Sequence, residues 1–289
     1  MEIILNRIRK SKFFNIILNL VGIVGLDKVC VRLMYLWIEK HPTDQMKDSL
    51  KYYDEHEKEI IRIKELLADD KSRKVWRQAI EFRKTMNYKE HPGKENDQYF
   101  VNDIIKLEPN EVFIDCGGYD GATSLEFMRR CEGKFKQIVI FEPDYQCKPM
   151  LKKNIPEDKR IKVIFKGVWS KTTNIRFISS GDSASHVAEC TNIDSSDLEV
   201  IPVIAMDECE ICRDATFIKM DLEGSEIKAL QGAKKLILKN KPKLAICIYH
   251  SDEDMTGIID YIHDLVPDYK LYVRHHSVGV IETVVYAII

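Results

Sequence analysis

The residues with the clearest chemical pattern lie in the segment EVFIDCGGYDGATS, residues 111–124. An apolar run ends in Asp115, and three glycines then precede a stretch with helical spacing: Gly117, Gly118 and Gly121. Glycines let the backbone approach a ligand closely, and the first turn of a helix directs its N–H groups towards that ligand. The pattern predicts a cofactor site at the end of a strand, and a tight turn that binds nothing is the alternative.

Two acids distinguish between two cofactors for this loop. The next apolar run ends in Glu142, at the position where an acid binds the ribose hydroxyls in dinucleotide folds. Asp115 lies two residues before the first glycine, where its carboxylate would repel the pyrophosphate of NAD but attract the sulfonium and ammonium of S-adenosylmethionine. The glycine spacing also differs from Gly-x-Gly-x-x-Gly. We therefore predict S-adenosylmethionine as the cofactor, with NAD as the alternative.

A second acidic element, TFIKMDLEGSE at residues 216–226, repeats the arrangement of a strand followed by an acid and a turn. Ligands of open α/β sheets bind outside the carboxyl ends of the strands, so Asp115, Glu142 and Asp221 should converge on one edge. Asp221 is predicted to be a site residue. Glu226 is interpreted as an acid favoured by the dipole at the start of a helix.

His250 follows a later apolar run on the same predicted edge. An imidazole with a pKa near neutrality suits the removal of a hydroxyl proton, so we predict His250 as the general base, with Asp221 orienting the acceptor or sharing that role. A polar residue at a strand end is the alternative for His250, and His186 is a second candidate base. We predict no metal, because the spacing of the acids and histidines matches no metal motif and Cys209 and Cys212 lack the second pair of a zinc site.

Short apolar runs alternate with helical patterns after residue 100. Seven runs are predicted to be strands: 112–115, 138–142, 161–165, 217–221, 244–249, 270–274 and 283–288. Helices are predicted near 122–130, 145–154, 225–239 and 254–265. This alternation predicts a Rossmann-like α/β fold, with a mostly parallel sheet and a terminal antiparallel hairpin. Residues 171–206 are interpreted as an insertion over the site, and His275 and His276 are predicted to be surface residues of the hairpin loop.

The first part of the chain has a different composition. Residues 44–90 combine many charges with apolar residues at helical spacing, and Leu50, Ile61 and Ile63 are predicted to share one buried stripe. We therefore predict a helical appendage over residues 1–95 and a catalytic domain over residues 96–289. Residues 13–26 carry no charge and follow several basic residues.

The uncharged run is too short for a membrane-spanning helix, which leaves two interpretations for residues 1–40. They form either helices packed on the main domain or a helix on an anionic membrane surface. The chain has 44 Lys and Arg against 46 Asp and Glu, a net charge of −2, which argues against nucleic acid as a partner. The eight cysteines are scattered, as is usual in a reducing compartment. The chain is predicted to be cytoplasmic, with peripheral contact at the inner face of the membrane as the open alternative.

These motifs together resemble the FkbM family of S-adenosylmethionine-dependent methyltransferases. The resemblance covers about residues 95–289 and is carried, in order, by VFIDCGGYDGATS, IVIFEPD, GVWS, FIKMDLEGSEIKALQGAKKLI and KPKLAICIYH. Its most specific mark is the Asp-x-Glu-Gly element at Asp221, followed by a helix that carries the motif Leu-x-Gly-Ala from Leu230. The chain departs from many members in its fifth strand, where Ile248-Tyr249-His250 replaces a segment that often carries Glu.

The resemblance implies a class I methyltransferase fold and O-methylation of a hydroxyl, often on a sugar or a polyketide-type product. It implies that the glycine loop lines the methionine part, that Glu142 binds the ribose, and that Gly167 and Val168 lie near the adenine. The predicted cofactor-binding residues are Asp115, Gly117, Gly118, Tyr119, Gly121, Glu142, Pro143, Gly167, Val168 and Asp221. We expect methyl transfer to a hydroxyl of a sugar in a surface glycan or glycolipid; a nicotinamide-dependent sugar-modifying enzyme and a non-catalytic binding module are the alternatives.

Overall fold

The computed structural model describes residues 35–178, 186–187 and 198–289. The chain divides into two compact units. The first runs up to Glu95 and includes Val273–Thr283, and the second comprises Asn96–Tyr272 and Val284–Ile289. Most of residues 1–40, the predicted membrane contact, and the side chain of His186 lie outside the described residues. No helix in the described ranges combines the length and the apolar character needed to cross a membrane.

Three helices form the larger part of the first unit: α1 (Asp44–Glu55), α2 (Glu57–Leu66) and α3 (Asp70–Thr85). Asp69 caps α3 by accepting a hydrogen bond from the backbone N–H of Ser72 at 2.6 Å. The predicted apolar stripe is only partly right. Ile63 is fully buried, but 54% of Ile61 and 41% of Leu50 are exposed.

A buried arginine ties the N-terminus of α3 to Val273–Thr283 within this unit. The Arg274 guanidinium donates to Asp69 Oδ2 at 2.8 Å and to Ser72 Oγ at 2.7 Å. Burial alone would raise the pKa of Asp69, but the hydrogen bonds from Arg274 and Ser72 outweigh it and lower the pKa to about 2. The prediction that His275 and His276 lie at the surface is wrong, because only 2% and 5% of these residues are exposed.

Eleven strands are present in the described residues: β1 (Val112–Cys116), β2 (Gln137–Phe141), β3 (Ile161–Ile164), β4 (Gly167–Val168), β5 (Thr173–Ile178), β6 (His186–Val187), β7 (Leu198–Ile204), β8 (Phe217–Met220), β9 (Lys243–Cys247), β10 (Lys270–His275) and β11 (Thr283–Ile288). Seven of them form a sheet in the order β10-β11-β9-β8-β1-β2-β3. The pairs β1–β2, β2–β3, β1–β8 and β8–β9 are parallel, and β11 is antiparallel to β9. The predicted sheet, with its antiparallel end, is confirmed.

Five further helices follow β1: α4 (Ala122–Arg130), α5 (Lys148–Asn154), α6 (Glu226–Gly232), α7 (Lys234–Asn240) and α8 (Asp252–Leu265). Aromatic rings pack the sheet against α4: the ring centroids of Phe113 and Phe127 lie 4.4 Å apart, and Phe217 lies 5.0 Å from Phe113. The helix predicted over 225–239 is two helices, because the chain leaves helical geometry at Ala233.

The predicted insertion contributes to a second, four-stranded sheet in the order β4-β7-β5-β6. β5 and β7 pair antiparallel over six residues, and β4 joins β7 in parallel. Phe177, Ile201 and Val203 form its buried core. The described part of residues 171–206 is therefore folded as strands beside Gly167 and Val168.

Candidate functional site

The glycine loop joins the ends of three strands of the large sheet. The backbone N–H groups of Gly117 and Gly118 both donate to the carbonyl of Phe141, at the end of β2, at 3.0 Å. Gly117 has a φ of +85°, and a Cβ at this position would lie 2.0 Å from the carbonyl oxygen of Asp221, which follows β8. A left-handed conformation and direct backbone contact both require glycine at this position. The loop therefore lies at the carboxyl edge that the sequence predicted.

Asp115 lies inside the protein beneath this loop. Its carboxylate is fully buried, lies 3.1 Å from the Lys219 ammonium, whose side chain is 3% exposed, and accepts a hydrogen bond from Ser124 Oγ at 2.7 Å. The Lys219 ammonium also donates to the carbonyl of Gly117 at 2.6 Å. Burial alone would lower the pKa of Lys219, but the charges of Asp115 and Asp221 outweigh it and hold that pKa above its usual value.

This pairing corrects the reasoning that an uncompensated Asp115 carboxylate attracts the donor. Lys219 neutralises that charge, so in this structure Asp115 holds the glycine loop through Lys219 and Ser124. Contact between Asp115 and the donor stays a prediction.

Lys219 is a site residue that sequence reasoning missed. Its signal was available, because a lysine within an apolar strand such as FIKM is rare unless it is paired.

Glu142 directly follows β2 and fastens the same loop from the other side. Its carboxylate accepts the backbone N–H of Tyr119 at 2.7 Å and that of Asp144 at 2.8 Å. Burial raises the pKa of Glu142, and these two hydrogen bonds oppose the rise. Two hydrogen bonds leave a carboxylate with acceptor capacity for ribose hydroxyls, so the predicted role of Glu142 is compatible with the structure and stays a prediction.

Pro143 and Gly167 are brought together, as two residues of one predicted site should be. A Cβ at Gly167 would lie 3.7 Å from the Cβ of Pro143 and 3.0 Å from a methyl group of Val203. Val168 is buried, with 3% of its surface exposed. The role of Gly167 and Val168 near an adenine also stays a prediction.

Asp221 is the centre of a polar cluster at the ends of β8 and β9. Its carboxylate accepts the hydroxyl groups of Tyr99 at 2.8 Å and Tyr249 at 3.2 Å, and lies 3.1 Å from His250 Nε2. Burial alone would raise the pKa of Asp221, but His250, Lys219 and Tyr99 stabilise the charged form and hold the pKa far below its usual value. The predicted neighbours Asp221 and His250 are thus in contact.

His250 is surrounded by carboxylates. Its Nε2 lies 3.1 Å from Asp221 and 3.2 Å from Glu226, and its Nδ1 lies 3.5 Å from Glu223. Burial alone would lower the pKa of His250, but the hydrogen bonds and charges of Asp221 and Glu226 raise it to about 11. The imidazole is therefore protonated at neutral pH. The predicted base with a near-neutral pKa does not fit this arrangement, because three acids face one ring. The spacing of residues in the sequence did not show these contacts.

Glu226 has more than the helix-start role assigned to it. The carboxylate is fully buried and accepts the backbone N–H of Leu222 at 2.6 Å and of Gly224 at 3.1 Å, which fixes the turn after β8. The same carboxylate lies against His250.

Tyr249 lies in the segment where the sequence departs from the family pattern. The structure shows that its hydroxyl donates to Asp221.

The charges of this edge fit a cationic donor. Among the described residues, the contacts above involve the cations Lys219 and His250 and a larger number of carboxylates: Asp115, Glu142, Asp144, Asp221, Glu223 and Glu226. This excess of negative charge would repel a pyrophosphate but attract a sulfonium or an ammonium. The residues present therefore fit S-adenosylmethionine, with the glycine loop and Glu142 as the residues that would hold it.

The prediction of no metal is untested. Single ligand atoms of Asp221, Cys247 and His250 lie within 4.8 Å of one another among the described residues. In this structure, however, both nearest carboxylates lie within hydrogen-bonding distance of His250 Nε2. The protonated His250 ring therefore already places a positive charge between Asp221 and Glu226, where a metal ion would otherwise supply one.

Comparison with known proteins agrees with this geometry. The model of the methyltransferase FkbM domain matches residues 115–269. The crystal structure of methyltransferase FkbM from Methylobacillus flagellatus KT is 27% identical, covers 82% of this chain and 60% of its own, and has a TM-score of 0.70. This chain thus spans about 60% of that protein. Among curated proteins, none matches the chain.

Two more distant structures share less with the chain. A precorrin-6y C5,15-methyltransferase from Geobacter metallireducens GS-15 is 11% identical, with coverages of 63% and 79% and a TM-score of 0.38. A Streptococcus mutans protein solved in complex with SAH is 12% identical, with coverages of 66% and 94% and a TM-score of 0.39.

The family match extends from Asp115 in β1 to the residue before β10, so it includes the glycine loop and, except for Tyr99, the Asp221 cluster. It confirms the predicted class I methyltransferase fold and the predicted cofactor, S-adenosylmethionine. Because the match covers more than half of the 289 residues, this chain belongs to the family of FkbM methyltransferase domains.

Proposed function

We propose that the chain transfers the methyl group of S-adenosylmethionine to a hydroxyl oxygen of a sugar in a surface glycan or glycolipid. The observation that carries this proposal is the position of the Asp221 cluster directly beside the glycine loop. The backbone N–H of Asp221 donates to the carbonyl of Cys116 at 3.1 Å, so the two are joined at the ends of adjacent strands. A hydroxyl bound at Asp221 would lie next to a donor bound at the loop.

S-adenosylmethionine supplies an already activated methyl group, so the protein's task is to place the acceptor oxygen and to accept its proton. Positioning of two reactants provides the larger part of the rate gain in such a step. The parallel strands β1 and β8 hold the loop and Asp221 in fixed register, with Cys116 opposite Met220. This rigid frame suits an in-line displacement.

Asp221 is the group that we assign to the acceptor hydroxyl. Its Oδ1 contacts Tyr249 and His250, and its Oδ2 accepts Tyr99, which leaves Oδ2 able to accept one further hydrogen bond. A carboxylate with a low pKa is a weak base. It suffices here because an oxygen that has begun to bond to the methyl group becomes strongly acidic, so the proton leaves late.

His250 positions Asp221 in this scheme. Its protonated ring donates to Asp221, keeps that carboxylate charged and fixes its orientation. The hydroxyls of Tyr99 and Tyr249 add polar groups that suit a neutral, hydroxyl-rich acceptor better than an apolar one. The family resemblance of the sequence supports a sugar as that acceptor.

Incubation of the protein with methyl-labelled donor and a glycan and glycolipid extract tests the proposal. We expect label on sugar oxygens with the wild-type chain and at least a hundredfold less with Asp221→Asn, because the neutral amide is a poorer proton acceptor. Calorimetry should show donor binding by both proteins. Normal donor binding without transfer to any hydroxyl would instead favour a non-catalytic binding module.

A further inference from the structure

Two cysteines close one tight turn just before β8. The backbone N–H of Cys212 donates to the carbonyl of Cys209 at 2.9 Å, so the two residues are the first and fourth of a turn. The Cα atoms at the ends of such a turn lie less than about 7 Å apart. Disulfides span Cα separations of about 4.4 to 6.8 Å, so this backbone can accept a Cys209–Cys212 bond with little movement.

The two thiols have opposite environments. A hydrogen bond from the Cys212 thiol lowers the pKa of Cys209 below its usual value, against the effect of burial, and the backbone N–H groups of Cys212 and Ile211 and the charge of Lys166 add to this. The hydrogen bond to Cys209 and burial raise the pKa of Cys212. One sulfur is thus a ready nucleophile and the other remains a protonated neighbour.

Of this pair, only Cys209 keeps exposed surface, 9% of the residue. It lines an open cavity of about 200 Å³ with Met206, Arg213 and Leu236, whereas Cys212 is fully buried. The charged residues that line the cavity balance, with three acids (Asp207, Glu208 and Glu210) against three bases (Arg213, Lys235 and Lys239). The cavity therefore favours neither anionic nor cationic reactants. What reacts there is determined by the nucleophilic sulfur of Cys209.

We propose that Cys209 and Cys212 form a thiol–disulfide exchange site whose co-substrate is a low-molecular-weight disulfide. The site is independent of methyl transfer and uses none of the residues assigned to the donor or the acceptor. Cys209 is its nucleophile and Cys212 its resolving thiol.

The exchange has two steps. The Cys209 thiolate attacks one sulfur of the small disulfide, which forms a mixed disulfide at Cys209 and releases the other half as a thiolate. The Cys212 sulfur then attacks the Cys209 sulfur, which forms the internal disulfide, and the second half leaves with the proton of Cys212 as a thiol. Two electrons pass from the cysteine pair to the small disulfide, which is reduced to its two thiol halves.

Cys131 is a matched control for reactivity. Cys131 and Cys209 are each 9% exposed, but burial raises the pKa of Cys131 to about 11. At pH 7 the ionised fraction of Cys209 is therefore the larger of the two, and this difference outweighs the lower intrinsic nucleophilicity of the Cys209 thiolate. We expect iodoacetamide to alkylate Cys209 at least about tenfold faster than Cys131. Equal rates would overturn the proposal.

The second experiment exposes the full chain to glutathione disulfide at pH 7, followed by acid quenching and peptide mass mapping. We expect an internal disulfide between Cys209 and Cys212 in the wild type, a stable glutathione adduct on Cys209 in Cys212→Ser, and wild-type behaviour in Cys131→Ser. Both cysteines recovered as free thiols in the wild type would refute the exchange site. So would a zinc ion held by this pair in the purified protein.

Discussion

Replacement of Lys219 by Met should strongly destabilise the second unit. The substitution leaves the Asp115 carboxylate fully buried without its cation, and it removes the hydrogen bond of 2.6 Å to the Gly117 carbonyl. Breaking a buried ion pair in this way costs about 3–5 kcal/mol. That is a large part of the total stability of a typical domain, about 5–15 kcal/mol, and corresponds to a fall in melting temperature of about 6–20 °C.

Urea unfolding followed by circular dichroism measures this loss. The surface pair of Lys136 and Asp214, at 3.0 Å with half of each side chain exposed, provides a matched control. Lys136→Met should cost at most about 1 kcal/mol, because solvent screens an exposed pair. A double variant, Lys219→Met with Asp115→Asn, should recover part of the loss, because no buried charge then remains without a partner.

The pH dependence of Lys219 follows from its raised pKa. A group whose pKa is higher in the folded state stabilises the fold fully below its unfolded value, about 10.4 for lysine, and loses this contribution only as the pH rises above that. The difference in unfolding free energy between the wild type and the double variant, which carries neither charge, should therefore be constant from pH 6 to 9. Two results would refute the reasoning: a single variant within 1 kcal/mol of wild type, or a double variant no more stable than the single one.

Three further predictions concern the site and its frame. Glu142→Gln should weaken donor binding about tenfold in calorimetry, because a charged acceptor is lost, and should lower the melting temperature by a few degrees, because Gln can accept only one of the two backbone N–H groups; unchanged affinity would remove Glu142 from the donor site. Turnover should show no inflection near pH 6.5, because the pKa of His250 is raised to about 11, and an acid limb there would instead indicate a neutral base. Gly232→Ala should destabilise the protein by about 1–3 kcal/mol in thermal unfolding, because its Cβ would lie 1.9 Å from the Trp169 carbonyl oxygen, whereas Gly257→Ala in α8, with nothing within 4 Å, should stabilise it by up to about 1 kcal/mol.

The sequence pattern was sufficient to predict the seven-stranded sheet and the acids at its carboxyl edge. Strand-like runs and helical spacing report which faces are buried. Asp115 does lie near the end of β1, and Glu142 and Asp221 directly follow β2 and β8. The pattern could not show which charges meet. Lys219 reaches Asp115 from a neighbouring strand, and Glu226 reaches His250 across a turn, so the actual charge states depend on tertiary neighbours.

The prediction of one helix over 225–239 was wrong for a similar reason. The apolar spacing over 225–239 continues through Ala233, yet the chain breaks there into α6 and α7. Asp207, more than 25 residues earlier, accepts the backbone N–H groups of Lys235 and Leu236 and caps the second helix. The close approach of Gly232 to Trp169 fixes the end of the first. Neither partner can be read from the local spacing.

The contact between Gly117 and the carbonyl of Asp221 also bears on how such an enzyme could diversify. Because backbone meets backbone there, with room for no side chain, neither the loop nor the strand end can shift without the other. Under the proposed function, the donor-binding loop and the Asp221 carboxylate therefore act as one rigid piece. A change of acceptor that keeps this chemistry would arise in the segments around that piece.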